Sequence, residues 1–523
     1  MGDLDRGQGW ETWGQRWGQS LGHWGRWGAQ ALRSRDIPPA LVGLMAIAAI
    51  ALFMASSVRH FLLHSTAFDL AIYDQVAYLM GQGLTPYATV SDMHHMGNHA
   101  AYSFYLVAPF YALWPDVHWL FALQAVGLSL GALPVWAIAR QARLDWGQAW
   151  AMAIAYGLYP VIFNVNLFDF HPEVLGIAAL LGCIWAARAG RAGWFTLGVI
   201  YVMGCKAVLS ITIASMGLWL LLIDGRRRCG AIALALGTGW FVAVTQGVIP
   251  AFNGGEGHDA IGRYAYLGNS VTEAFFNLFL RPDLVLGRLL SVETAIYLAL
   301  LTGPLLWWLL PGRLGPLVAA APAIALNCLS TVGEQRDLVH QYSLPILPFL
   351  LTAAIANLQH PYPWPWPQTA IGQGLRRTLQ PHLASGRLII LWSALGFLAL
   401  AKFGYFGSLY LTTLDTWSAS RTAIAQIQQD GGDGGVLTTS TLAPHLSHRV
   451  MIRQTIADRN ETGYVRYPQW NEYDFVLLDT IHPGWNSTTE FVELLRSDLS
   501  QRPDFSLNFA QDGVYLFQRQ ANP

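Results

Sequence analysis

Apolar runs separated by short polar breaks fill the chain from residue 37 to residue 411, and a different rhythm takes over after Thr412. The runs at 37–58, 117–139, 147–163, 174–187, 230–250, 294–311, 314–329, 342–357 and 388–411 lie near the length of about 20 residues that one helical crossing of a bilayer needs. The run at 194–223 is too long for one crossing and is interrupted by Gly204, Cys205 and Lys206, which predicts a hairpin of two helices. Tyr102–Trp114 is short and holds Pro109, so it reads as an interfacial or re-entrant piece. The count comes to roughly ten or eleven full spans. After Thr412 a helical stretch (Ser418–Gln429) leads through GGDGG to the β-type runs GGVLTTS, HRVMI, YDFVLLDT and GVYLFQR, with a helix pattern near Thr489–Leu499. The pattern therefore predicts three regions: 1–36, a polytopic membrane domain at 37–411, and a small α/β domain at 412–523. The fold class is mainly α, a transmembrane helical bundle with a small extracytoplasmic C-terminal domain.

Charge orients this picture. Arg26, Arg33 and Arg35 precede the first run, and Arg140 and Arg143, Arg188 and Arg191, and Arg226 to Arg228 close later ones. The positive-inside rule puts these clusters, and the N-terminus, in the cytoplasm. PYPWPWPQ with Arg376, Arg377 and Arg387 reads as a basic Pro-rich linker on the same side. The loops rich in Asp, Glu and His then all fall outside. Residues 1–36 space Trp10, Trp13, Trp17, Trp24 and Trp27 for an amphipathic helix on the membrane surface, or for a partner-binding arm. No cleavable signal is apparent, so the first run reads as a retained anchor. A net charge of -1 with its cations in short clusters gives no sign of nucleic-acid binding. Cys183, Cys205, Cys229 and Cys328 form no CxxC pair, so they read as packing residues. Asn460-Glu-Thr and Asn486-Ser-Thr match glycosylation sequons, a match that is frequent by chance.

Only 12% of the residues are charged, yet Phe68 to His99 alone carries Asp69, Asp74, Asp92, His94, His95 and His99. Ionisable groups placed against hydrocarbon are costly and mark function. Asp69, the first choice, or Asp74 is suited to deprotonate an acceptor hydroxyl; the plainer role for one of them is to cap the helix that follows. In NLFDFHPE, Asp169, His171 and Glu173 alternate, and alternate residues of an extended segment share a side. With Asp69 they form a candidate Mg²⁺ or Mn²⁺ site (Asp69, Asp169 and His171), or a substrate site without metal. Lys206, one of two lysines, is placed to meet a phosphate or a carboxylate, or to snorkel to the interface. Arg263 and Arg336 suit phosphate better, because the guanidinium fork matches its oxygens. Tyr264 and His340 share their loops and complete the candidate substrate-binding set. His94, His95 and His99, next to Met93 and Met96, are compatible with simple packing.

FDLAIYDQ, NHAAYSFYLVAPFYALWPD, NLFDFHPE, RYAYLG and HQYSLPILPFL resemble an uncharacterised group of polytopic bacterial membrane proteins, with an echo in APHLSHR and YDFVLLDT. That group is similar in layout to the GT-C glycosyltransferases, which use polyprenyl-phosphate sugars. The resemblance covers about 37–429 and implies transfer of a sugar from such a lipid to an acceptor on the outer face. It maps the family's catalytic acid to Asp69 or Asp74 and a second acidic motif to Asp169 and Glu173. Members of the group follow the lysine at position 206 with two acidic residues, where this chain has Ala207 and Val208. The rival classes are a transporter, which should show an internal repeat and midplane charges, and a membrane scaffold that docks partners through its N-terminal and C-terminal regions. No repeat is visible.

Overall fold

The computed structural model describes residues 37–255, 259–309, 313–359, 369, 382–430, 434–460, 463–464 and 466–520. The Trp-rich segment 1–36, Glu256, His258, the PYPWPWPQ linker with Arg376 and Arg377, and residues 461–462 of the first sequon lie outside them. Residues 1–47 and 48–523 are separate compact units, divided within the first long helix, α1 (Pro39–Phe61). The polar turns and the sheet described below belong to the second unit.

Among the described residues six helices are long and apolar enough to cross a membrane: Pro39–Phe61, His118–Gln141, Trp146–Leu167, Arg227–Phe252, Val292–Leu309 and Gln341–Gln359. A seventh arises if Gly386–Leu400 and Lys402–Leu411, bent by 40° at Ala401, count as one span. This is fewer than the ten or eleven that the apolar runs suggest. Other apolar helices are shorter, among them Ala192–Met203 and Leu209–Leu222. At 1.5 Å rise per residue, a 12-residue helix reaches only about 18 Å of a roughly 30 Å core. The break at 204–208 separates these two helices where Gly204, Cys205 and Lys206 interrupt the run.

Five helices and a π turn position the chemistry. The chain leaves α1 at Phe61, makes a π turn over Ala67–Ala71, and continues as α2 (Ile72–Gly81). Helix α3 (Glu173–Arg188) follows the NLFDFHPE turn, and α4 (Ala192–Met203) and α5 (Leu209–Leu222) bracket Lys206. Helix α5 packs tightly on α6 (Arg227–Ala243). A Cβ added at Gly217, Gly230 or Gly237 would lie within 2.4–2.6 Å of the facing backbone nitrogen. Small residues let two membrane helices approach this closely, which gives van der Waals contact where no hydrophobic drive exists.

The C-terminal part begins with α7 (Leu414–Gln429). A five-stranded sheet follows, made of β1 (Val436–Thr438), β2 (Ile452–Gln454), β3 (Phe475–Asp479), β4 (Phe505–Gln511) and β5 (Val514–Arg519), with α8 (Thr489–Gln501) between β3 and β4. The spatial order is β2-β1-β3-β5-β4; β2, β1 and β3 are parallel, and β5 and β4 pair antiparallel. All five β3 residues are buried, as a central parallel strand requires. Helix α8 starts at a Thr488 cap and lays Phe491, Val492 and Leu495 against Val476, Leu478 and Phe517. Strand β4 has no counterpart among the predicted β-type runs, because it is a half-exposed edge whose polar residues dilute the apolar signal.

Candidate functional site

Three charge pairs gather where α1, the π turn, the NLFDFHPE turn and the 204–208 break meet. At the end of α1 the Arg59 guanidinium grips Asp169 with both nitrogens, the second at 3.3 Å. Asp169 also accepts from the Thr66 backbone N–H at 3.0 Å and from its hydroxyl at 3.1 Å. It holds φ +93, a conformation non-glycine residues seldom adopt. This turn aims His171 at the π turn, where its Nε2 lies 3.1 Å from Asp69 Oδ1. Lys206 Nζ donates to Glu173 Oε1 at 2.7 Å. The side chains of Arg59, Asp169, His171, Lys206 and Glu173 are at most 10% exposed, whereas that of Asp69 keeps 20%. The site therefore presents one accessible carboxylate on a scaffold of neutralised charges. Glu173 Oε2 is buried without a hydrogen-bond partner.

Burial opposes charge on His171, but the adjacent Asp69 carboxylate, and then Glu173, more than offset it and raise its pKa above the ordinary imidazole value. Burial also lifts the Asp169 carboxyl above its ordinary value, against the pull of Arg59. Tyr73 is pushed well up by burial and by the negative charges of Glu173 and Asp69, so it stays a neutral phenol.

The remaining predicted residues divide. Phe168 stacks on His171, with ring centroids 5.4 Å apart, and meets His340 edge-on at 4.1 Å. His340 is held by Asp337 at 2.6 Å. Arg263 lies over the Tyr342 ring at 5.3 Å, and the Tyr342 ring stands 6.5 Å from that of His340. Arg263 and His340 thus join the Asp69 neighbourhood through a chain of rings. The Tyr264 hydroxyl donates to the Leu326 carbonyl at 3.1 Å, which ties it to the bundle. The buried Nε of Arg336 has no hydrogen-bond partner. The Ala207 backbone N–H donates to the His99 carbonyl at 2.9 Å, and Val208 is 40% exposed. His94 stacks on Phe252 and His95 bonds the Ala101 carbonyl, so both pack.

Asp74 does not meet the partners of Asp69. Five helical residues place two side chains about 140° apart, and Asp74 turns to the C-terminal domain. There it accepts from the Tyr111 hydroxyl at 2.5 Å and from Ser447, and it pairs with His448 at 3.0 Å; its side chain is 1% exposed. The neighbouring Gln75 donates to the Arg449 carbonyl at 3.1 Å. The echo motif APHLSHR is therefore the sheet domain's clasp on α2. A 480 Å³ cleft is lined by Asp74 itself, with His60, Asp116, His118, His445 and His448. His60 and His445 stack at 3.9 Å.

The metal expectation finds no matching geometry. Among the described residues no three His, Cys, Asp or Glu side chains are arranged to hold an ion. Asp169 is engaged by Arg59 and Thr66, and the Nε2 of His171 by Asp69. Sequence reasoning missed Arg59, Thr66, Ser447 and His448. An arginine at a helix end reads as a topology signal, and the other three carry no spacing pattern.

The helical bundle with its small mixed sheet has a GT-C-like fold. The chain superposes on the crystal structure of ArnT from Cupriavidus metallidurans bound to undecaprenyl phosphate with TM-score 0.52 and 14% identity, covering 91% of this chain and 97% of that one. Against the apo state of the same protein the TM-score is 0.51 at 13% identity, covering 90% and 98%. The mycobacterial arabinofuranosyltransferase AftD is more distant, at TM-score 0.46 and 13% identity over 91% of this chain and 40% of that one. The chain belongs to the predicted membrane protein family DUF2079, whose model matches residues 59–516. It is an integral, multi-pass membrane protein. No curated protein matches the sequence.

Proposed function

We propose that the protein transfers a sugar from a polyprenyl-phosphate donor to an acceptor on the outer face of the membrane, with its N-terminus cytoplasmic and its sheet domain outside. The observation that carries this reading is the partly exposed carboxylate of Asp69, oriented by His171 beside the buried Arg59–Asp169 and Lys206–Glu173 pairs. Asp69 takes the proton from the acceptor hydroxyl as its oxygen attacks the anomeric carbon. The bond from that carbon to the phosphate oxygen breaks, and polyprenyl phosphate leaves. His171, whose pKa is raised beside this carboxylate, holds Asp69 in place through its Nε2 at 3.1 Å. Lys206 is balanced by Glu173, so the donor phosphate falls to Arg263 and His340 instead. The undecaprenyl phosphate bound to the similarly folded ArnT supports a lipid-phosphate ligand.

The test is mass spectrometry of lipids copurified with the full chain, followed by incubation with a panel of polyprenyl-phosphate sugars. Bound polyprenyl phosphate and release of that lipid on turnover are expected. Neither lipid nor turnover across the panel would favour a membrane scaffold, with the polar turns as its binding face.

A further inference from the structure

The loop between β3 and α8 is fixed at every turn. Asp479 Oδ1 accepts from the Ile481 and His482 N–H groups at 2.9 and 2.8 Å, while the Thr416 hydroxyl donates to its other oxygen at 2.9 Å. The Pro483 carbonyl accepts from the Ser440 N–H at 3.2 Å and the Asn486 carbonyl from the Ala457 N–H at 2.8 Å. Gly484, at φ +77, lies so close to Ser440 that an added Cβ would come within 2.9 Å of its Cβ. This rigid loop nevertheless holds Trp485 55% exposed. The indole meets Phe68, itself 46% exposed, with centroids 4.9 Å apart and planes at 65°. Phe68 is the chain neighbour of Asp69 on the π turn. On the same loop, His482 pairs with Asp415 at 2.8 Å.

Two aromatic faces set at an angle, a polar pair on the same loop and a carboxylate one residue away define the chemistry of an occupant. It needs an apolar C–H face to lie on the negative face of a ring, and hydroxyls to meet the polar pair. A sugar ring has both. We infer that Phe68 and Trp485 form a subsite for a sugar ring of the acceptor, so that the acceptor is a saccharide. This rests on the glycosyltransferase reading, and it assigns the sheet domain a part in choosing the substrate.

The test is binding of a panel of lipid-free pentose and hexose oligosaccharides to the full-length protein in nanodiscs, with donor turnover measured separately. At least one saccharide should bind the wild type. Trp485→Ala and Phe68→Ala should each weaken it about ten-fold, and Trp485→Phe should restore most of the affinity. No saccharide bound, or affinity unchanged in both alanine variants, overturns the inference. Donor turnover that persists in either case leaves the glycosyltransferase reading standing, whereas its absence from the wild type counts against that reading and so against the acceptor role, even where a saccharide binds.

Discussion

Arg59 and Asp169 carry the largest residue-scale liability, because each is buried and neutralised by the other. Asp169→Ala strands the guanidinium and should cost about 3–5 kcal/mol, read as a lower thermal midpoint in detergent. Replacing both partners with Met and Leu should recover part of that loss, since a buried pair adds little over apolar packing; an unchanged midpoint in Asp169→Ala contradicts the pairing. His171 makes a pH prediction. Its folded-state pKa is raised, so the stability it draws from Asp69 is fully present below about pH 6.5 and is lost as pH rises through the raised value. The difference in thermal midpoint between the wild type and His171→Gln should therefore narrow from about pH 6 toward pH 9. A gap that stays constant over that range would show that the pair is not charged.

At the scale of elements, the continuous π turn and α2 send Asp69 and Asp74 to different tasks. Two acids five apart are visible in the sequence; the helix that separates them is not, nor are Ser447 and His448, more than 370 residues further on. Contacts at such separation leave no local spacing to read. The alternation in FDFHPE was legible, yet its purpose differed: Asp169 turns back to Arg59 while His171 and Glu173 reach Asp69 and Lys206. Asp74→Asn removes the charge that holds His448, and should loosen the sheet domain from α2. Limited proteolysis should then cut faster between residues 400 and 415, with donor turnover per intact molecule largely kept. Equal cleavage in the variant and the wild type would remove the clasp.

For the molecule as a whole, the division into a helical bundle and a small sheet domain was plain from hydropathy, because a bilayer demands long apolar runs. The number of spans was not: the break at Gly204 was legible, but the two helices it separates are too short to cross, and an apolar run does not reveal the bend at Ala401. The proposed orientation places Ser418 outside and Arg226 inside. Single cysteines at these positions, in a background without the four buried native cysteines, should react with a membrane-impermeant maleimide at Ser418 only in intact cells. Labelling of Arg226→Cys instead would invert the topology. The most direct measurement is sugar transfer from a labelled polyprenyl-phosphate donor by the full-length protein and its Asp69→Asn variant. Loss of a general base should lower turnover about 10²–10⁴-fold with the fold intact; transfer at the wild-type rate by Asp69→Asn would contradict the role given to this carboxylate.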